Sequence, residues 1–375
     1  MVSVVDNSSL EEKLSFNRYR VNDAMADGEG VIVYVMDSGH NPDPQSDTNE
    51  QIFFPGKVEF PQQDGDFKPT TEPRKLTDDL FKKANPKFKV VGEPTGTEVR
   101  DDSKGQHGPS MSALIGASKV GVAPRCRVAP LRCTIGEEPG IKECIKCCEA
   151  ILTYHHKKHA GKPAIVNCSL TIPYQNLLKK LKANGNIPVD KLENETEMLF
   201  GKFQKAVESL VNAGMIIVAS GGNQKHTTNT TWAEWKADQS KTLRSDPMFR
   251  APQCFDNVIV VGGLGRDGKV WEQSGTGKLV THYLLADQVG NPFDDTLSIT
   301  GTSVAAAFLS GIIACILSSA QYKAKAQANV DDARKHIRQI LEKVSEDFDD
   351  GNGNKCRAFM AGTIDLKNVV WEYKV

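Results

Sequence analysis

Val31-Ile32-Val33-Tyr34-Val35-Met36 runs directly into Asp37-Ser38-Gly39, and this junction decides how the chain is read. An apolar, mostly β-branched run without polar alternation describes a strand covered on both faces, as in a parallel sheet. Similar runs return at Val128–Leu131, Ala164–Leu170, Met215–Ala219 and Val258–Val261. Helical periodicity fills the stretches between and after them: Ser110–Ser118, Ile141–His156, Glu195–Ala213, Val304–Ala320 and Val330–Glu346. Strands alternating with helices predict an α/β fold in three layers, a mostly parallel sheet with helices on both faces. Ligands of such folds bind beyond the carboxyl ends of the strands. Asp37 stands at one of those ends, where it would serve a site or simply cap a turn.

Working outward, two stretches look inserted: the polar, Pro/Gly-containing Asn41–Gly105, and Thr171–Asn194. No internal repeat is present. The expected organisation is an N-terminal extension over residues 1–18 and one large domain over 19–375, with a long insertion at about 41–105. The 375 residues are 39% apolar and 25% charged, the composition of a globular chain with a sizeable core. A formal net charge of −1 creates no field to recruit nucleic acid or an anionic membrane. No run of about 20 apolar residues reads as a membrane span, and no apolar signal-peptide core stands near Met1.

Nine cysteines leave at least one free thiol in any fully intramolecular pairing. Cys168 and Cys315 lie in apolar runs, where a thiol serves as a small hydrophobe. Cys144, Cys147 and Cys148 share one predicted helix, but no partner motif completes a metal site, so inert thiols are expected and no metal is assigned. This usage leans towards a cytoplasmic, reducing compartment. The sequons at Asn7, Asn194 and Asn229 point the other way, towards a secreted mature fragment, and the compartment stays open.

Three further segments carry chemistry. Gly105-Gln106-His107-Gly108-Pro109-Ser110 sets a histidine at a helix start, with Pro109 in the first turn, where its missing N–H costs nothing. Gly301-Thr302-Ser303-Val304-Ala305-Ala306-Ala307 opens an apolar helix on a serine, which caps the helix or acts as a nucleophile near its positive end. Ser220-Gly221-Gly222-Asn223 follows a buried strand and offers an amide that turns the chain or stabilises an oxyanion. Each has a structural reading of its own. Together they are what one reaction requires. A serine hydroxyl attacks only when an imidazole takes its proton, a carboxylate must hold that imidazole, and a donor must meet the developing charge. The chain order Asp, His, Ser occurs in one known class of triad.

On these motifs the chain resembles the subtilisin-like serine proteases, the subtilases, over roughly Tyr19–Val375. Asp37-Ser38-Gly39, His107-Gly108 and Gly301-Thr302-Ser303-Val304-Ala305 match that family's aspartate, histidine and serine motifs. Gly121-Val122-Ala123-Pro124, Asn167-Cys168-Ser169-Leu170, Gly222-Asn223 and Ala361-Gly362-Thr363-Ile364-Asp365 follow in the family's order. The resemblance implies catalytic roles for Asp37 as orienter, His107 as general base, Ser303 as nucleophile and Asn223 as oxyanion donor. It implies that Ser169, Leu170 and Thr171 pair with a polypeptide substrate as an added strand, and that Ser220, Gly221 and Gly222 line the same cleft. No cofactor is required for such chemistry. The family's calcium sites are not clearly kept, since Ser46 stands near an expected carboxylate, so structural calcium is left unassigned. No separate inhibitory prodomain is visible before Tyr19.

The chain departs from the family in three places: Ala307 replaces a helix proline, Ala286-Asp287-Gln288 replaces a tight turn, and Thr171 replaces a glycine beside the substrate pocket. Two other motifs are set aside. Gly263-Leu264-Gly265-Arg266-Asp267-Gly268 spells a dinucleotide fingerprint but opens no helix and reads as a hairpin turn. Asp347–Gly353 suggests a calcium loop, but its ligand positions fail, and it reads as an exposed loop. The functional expectation is a serine endopeptidase. Its rivals are a peptide ligase or macrocyclase using the same acyl-enzyme, and a catalytically silent binding module. Glu137 and Glu138 either attract cationic peptides to the cleft rim or face the positive end of the following helix.

Overall fold

The structure, a computed structural model, describes residues 19–21, 26–39, 52–53, 75–76, 107–117, 120–135, 138–238, 249–292, 297–319, 322, 330–359 and 362–364. Asn7, Ser46 and Glu137 lie outside the described residues, as do the extension 1–18 and most of the insertion at 41–105. Within that insertion, Ile52–Phe53 pairs antiparallel with Lys75–Leu76.

A single eight-stranded sheet organises the fold. Its strands are β1 (Ile32–Asp37), β2 (Arg127–Arg132), β3 (Ala164–Cys168), β4 (Ile216–Ser220), β5 (Val258–Leu264), β6 (Val280–Leu285), β7 (Glu346–Asp349) and β8 (Lys355–Ala358). They lie in the order β7-β8-β6-β5-β4-β3-β1-β2. Every pairing is parallel except the edge pair β7 with β8. Strands β1, β3, β4 and β5 are buried along their whole length, which is why their sequences show no polar alternation.

Among the described residues seven helices follow the same logic: α1 (His107–Gly116), α2 (Ile141–Lys158), α3 (Tyr174–Ala183), α4 (Leu192–Asn212), α5 (Trp232–Ala237), α6 (Thr302–Ser318) and α7 (Val330–Val344). Helices α1 and α6 pack on one another and on one group of sheet contacts, while α2 and α4 pack together against the sheet as a second layer. Small and apolar on every side, α6 is buried at each of its residues, as a helix without a polar face must be. The expected three-layer α/β architecture is thus observed, with a mostly parallel sheet.

Some local expectations change. The stretch Thr171–Asn194 is not a plain loop but contains α3, whose buried residues Tyr174 and Leu177 dock it on the core. Gly263–Gly268 does turn the chain: the Gly265 N–H donates to Lys269 O at 2.8 Å and Leu264 bridges Val270 antiparallel. The acidic run after β7 forms the turn to β8, and there Asp350 is buried rather than exposed. Burial alone would raise its pKa, but the Asn354 side-chain amide, followed by the backbone N–H groups of Asn352, Gly277 and Asn354, donates to the carboxylate and holds the pKa below the usual range. All nine cysteines are free and buried. Burial is the leading cause that raises every one of their pKa values, which suits hydrophobic packing rather than thiolate chemistry. Among the described residues no helix is long and apolar enough to cross a membrane.

Candidate active site

Strand β1 delivers Asp37 to the carboxyl edge of the sheet, where its side chain is 4% exposed. One carboxylate oxygen, Oδ1, accepts the Ser38 N–H at 2.7 Å and meets His107 Nδ1 at 2.7 Å. His107 is the first residue of α1, and its side chain remains 43% exposed, open towards the cleft. The helix start is pinned independently, since the Gly108 N–H donates to Ser38 Oγ at 2.8 Å. A side chain at Gly108 would bring a Cβ to 2.4 Å from Gly39 O, so only glycine lets α1 approach the Asp37 turn this closely. The flanking glycine thereby sets the length of the Asp37–His107 bond.

Ser303 occupies the second position of α6 and is 6% exposed. It sits among the backbone N–H groups that lack intrahelical partners and carry the positive end of the helix dipole. Its hydroxyl is turned onto Ser169 O at 3.4 Å. Ser169 answers with its own hydroxyl to Ser303 O at 3.3 Å, and that hydroxyl also accepts from Asn167 Nδ2 at 2.9 Å. Asn167 is held in turn by Ser310 Oγ, one helix face further along α6, at 3.0 Å. The nucleophile candidate and the proposed substrate strand are therefore locked to one another from below. In place of the expected helix proline, Ala307 is buried within an α6 that runs from Thr302 to Ser318.

Asn223 follows β4 after Gly221-Gly222 and is exposed. Its side-chain oxygen accepts from Thr302 N at 2.9 Å and from Thr302 Oγ1 at 2.8 Å. The Thr302 backbone N–H can only donate, so it fixes which end of the amide is the oxygen and turns Nδ2 away from it. The same Thr302 hydroxyl accepts the Gly222 N–H at 2.9 Å. Gly222 has φ +94° and lies against His226, whose Cε1 would be 2.5 Å from a Cβ there. Burial, reinforced by the Arg250 charge, pushes the His226 pKa down to about 4. The replaced turn Ala286-Asp287-Gln288 closes on the same region: Gly301 N donates to Ala286 O at 2.7 Å, and Gln288 adopts φ +49°.

The two segments expected to bind substrate face a common side chain. Gln253 donates through Nε2 to Leu170 O at 3.0 Å and to Ser220 O at 2.6 Å. Ser169 and Leu170 are buried, and Thr171 is half-buried. At the rim, Glu138 forms an ion pair with Lys180 of α3, which supplies its cation from within the chain rather than from a peptide. Among the described residues no group of three or more His, Cys, Asp or Glu is placed to hold a metal ion.

The structure thus brings Asp37 to His107, and Ser303 to Ser169 and to the Thr302–Asn223 pair. Helices α1 and α6, which carry His107 and Ser303, pack against each other. Thr302, Ser38, Gln253 and Ser310 are site residues that the motifs alone did not assign. Thr302 and Ser38 sit inside the quoted motifs, so their hydroxyls were the available signal. Gln253 had none, because it arrives by tertiary contact.

Comparison with known proteins agrees with this geometry. A family model described as the subtilase family matches residues 28–357. Among solved structures, a cold adapted subtilisin-like serine proteinase superposes with a TM-score of 0.56 at 16% identity, covering 93% of this chain and 97% of that one. A lanthipeptide protease superposes with a TM-score of 0.55 at 16% identity, covering 90% and 86%. No curated protein matches the chain. Those two structures speak for the fold alone; the match over residues 28–357 speaks for descent, and by it this chain belongs to the subtilase family of serine-type peptidases.

Proposed function

We propose that the protein is an endopeptidase in which Ser303 attacks the scissile carbonyl, His107 is the general base, Asp37 orients it, and Asn223 meets the oxyanion. The observation that carries this reading is the 2.7 Å bond between Asp37 Oδ1 and His107 Nδ1. It holds the imidazole in the tautomer whose Nε2 takes a proton, on the first turn of the helix that packs against the helix of Ser303. For attack, the Ser303 hydroxyl rotates from Ser169 O towards His107 Nε2 and gives up its proton there. The Ser303 Oγ–carbon bond forms, and negative charge moves onto the carbonyl oxygen, facing Asn223 Nδ2 and the N-terminus of α6. The C–N bond then breaks as His107 returns the proton to the leaving amine, which leaves an acyl-enzyme. A water molecule, deprotonated by His107, attacks the acyl carbon, and the acid leaves as the Ser303 hydroxyl is restored. The chemistry uses no cofactor. Nine buried thiols without a disulfide support a reducing compartment for the protein.

A fluorophosphonate probe tests the core of the proposal. The wild type becomes labelled at Ser303, and labelling disappears in Ser303→Ala. Mass analysis of peptide products, with and without an added amine nucleophile, then identifies water or amine as the acyl acceptor. Hydrolysis products in the presence of the amine support the endopeptidase. A ligated product as the main species overturns hydrolysis, and an unlabelled wild type overturns the triad.

A further inference from the structure

The scissile carbonyl of a bound peptide has to lie between Ser303 Oγ and the Asn223 amide. The side chain on the acyl side of that carbonyl is then directed between the two segments flanking those atoms, Ser169–Thr171 and Ser220–Gly222. Two large side chains already occupy the space behind these segments. Gln253, 1% exposed, bonds Leu170 O at 3.0 Å and Ser220 O at 2.6 Å through a single nitrogen. At that depth the two walls are therefore separated by no more than two ordinary hydrogen bonds. Arg250, also 1% exposed, lies on the short strand Arg250–Ala251, which pairs antiparallel with Ile172–Pro173 immediately after Thr171. Its guanidinium reaches the second wall, where a Cβ on Gly222 would stand 3.0 Å from Nη1. Thr171, half-buried, brings a branched side chain to the end of the first segment.

We infer that this protease selects a small residue, glycine, alanine or serine, immediately before the cut, because Gln253, Arg250 and Thr171 fill the pocket that a larger side chain would enter. The inference rests on the catalytic reading above. A close-packed interior does not admit an extra ring or branched chain without displacing its occupants. Gln253 cannot move without breaking two bonds to carbonyls on opposite walls, and Arg250 cannot move without desolvated charge being rearranged. The pocket is thus held shut by polar bonds rather than by soft apolar packing.

A peptide series varied only at the residue before the cut (Gly, Ala, Ser, Leu, Phe, Asp) tests this, with active enzyme counted by the fluorophosphonate probe. The wild type should show kcat/KM for Ala or Gly at least about tenfold above Leu and Phe, the order of discrimination that one misfitting side chain produces. Arg250→Ala and Thr171→Gly should each raise the Phe:Ala ratio of kcat/KM, with folding checked by thermal melting. Equal or faster wild-type cleavage after Leu or Phe overturns the inference while leaving the catalytic reading intact. Best cleavage after Asp also overturns it, since Arg250 would then be a carboxylate receptor rather than a plug. Absence of probe labelling fails the catalytic reading instead, and the two failures are distinct. If Arg250→Ala melts prematurely, the wild-type profile and Thr171→Gly still decide.

Discussion

The Thr302 hydroxyl donates to the Asn223 side-chain oxygen at 2.8 Å while accepting the Gly222 N–H at 2.9 Å. One small side chain, adjacent to the proposed nucleophile Ser303, thereby ties the loop after β4 to the start of α6 and sets the direction of the Asn223 amide. In the proposed mechanism Thr302 acts through Asn223, as a positioning residue. Thr302→Ala should lower kcat about 10- to 100-fold with KM little changed, since misplacing a donor costs most where the charge exists only transiently. Thr302→Ser, which keeps the hydroxyl, should recover most of the loss. Binding of a peptide aldehyde, which forms the oxyanion adduct, should weaken in Thr302→Ala in parallel with kcat. Unchanged adduct affinity would show Thr302 to be structural only.

Asn223→Ala removes the proposed oxyanion donor itself. The expected loss is about 10²–10³ in kcat with KM nearly unchanged. Combined with Thr302→Ala it should cost little more than alone, because the hydroxyl then has no amide to orient. Steady-state kinetics of the three variants checks both points. A tenfold rise in KM with kcat retained would make Asn223 a ground-state contact.

Gly108→Ala places a methyl carbon 2.4 Å from Gly39 O, well inside van der Waals contact. Helix α1 must withdraw, the Gly108 N–H bond to Ser38 Oγ lengthens, and His107 moves off Asp37. Activity should fall about 10²-fold, as for ångström-scale displacement of a base. The measurement is kcat/KM alongside the melting temperature. Wild-type activity in a folded Gly108→Ala protein would mean that the turn absorbs the methyl without moving His107.

Three buried histidines set a pH dependence of stability. Burial is the first cause that pushes His155, His226 and His282 down to about 4, with positive neighbours adding to it. In the unfolded chain each binds a proton below about pH 6.5. Between about pH 6.5 and 4 the unfolded state therefore holds more protons, and stability falls as pH falls. Above pH 6.5 both states are neutral at these sites and the effect vanishes. The melting temperature should drop by roughly 5–10 °C across that window. His282→Gln, on β6, should flatten the slope; an unchanged slope would assign the loss to other groups.

The legible parts of the fold were those with an unbroken apolar signal. Strands β1, β3, β4 and β5 and helix α6 are buried on all sides, so their sequences announce them. Strand β6 was missed because Thr281 and His282 interrupt its run, and β7 and β8 because they lie at the sheet's edge and carry charges on their open face. Helix α3 buries only Tyr174 and Leu177, too little apolar surface to stand out among its lysines. At the candidate site, Asp37, His107, Ser303 and Asn223 stood out in the sequence because each sits in a glycine-marked motif at an element boundary. Arg250 and Gln253 were not, since their proximity to Gly222, Leu170 and Ser220 arises from the tertiary path of the chain and leaves no local trace.

The burial of α6 has a consequence for how this molecule fails. Cooperative units open with free energies that scale with what they keep from water, and a helix enclosed at every residue belongs to the last unit to open. The nucleophile candidate is fastened to that unit, together with the amide that Thr302 holds. Asp37, on an interior strand, belongs to the same protected body. Ser303 and Asp37 therefore share one opening unit, and their places should hold until the molecule as a whole comes apart.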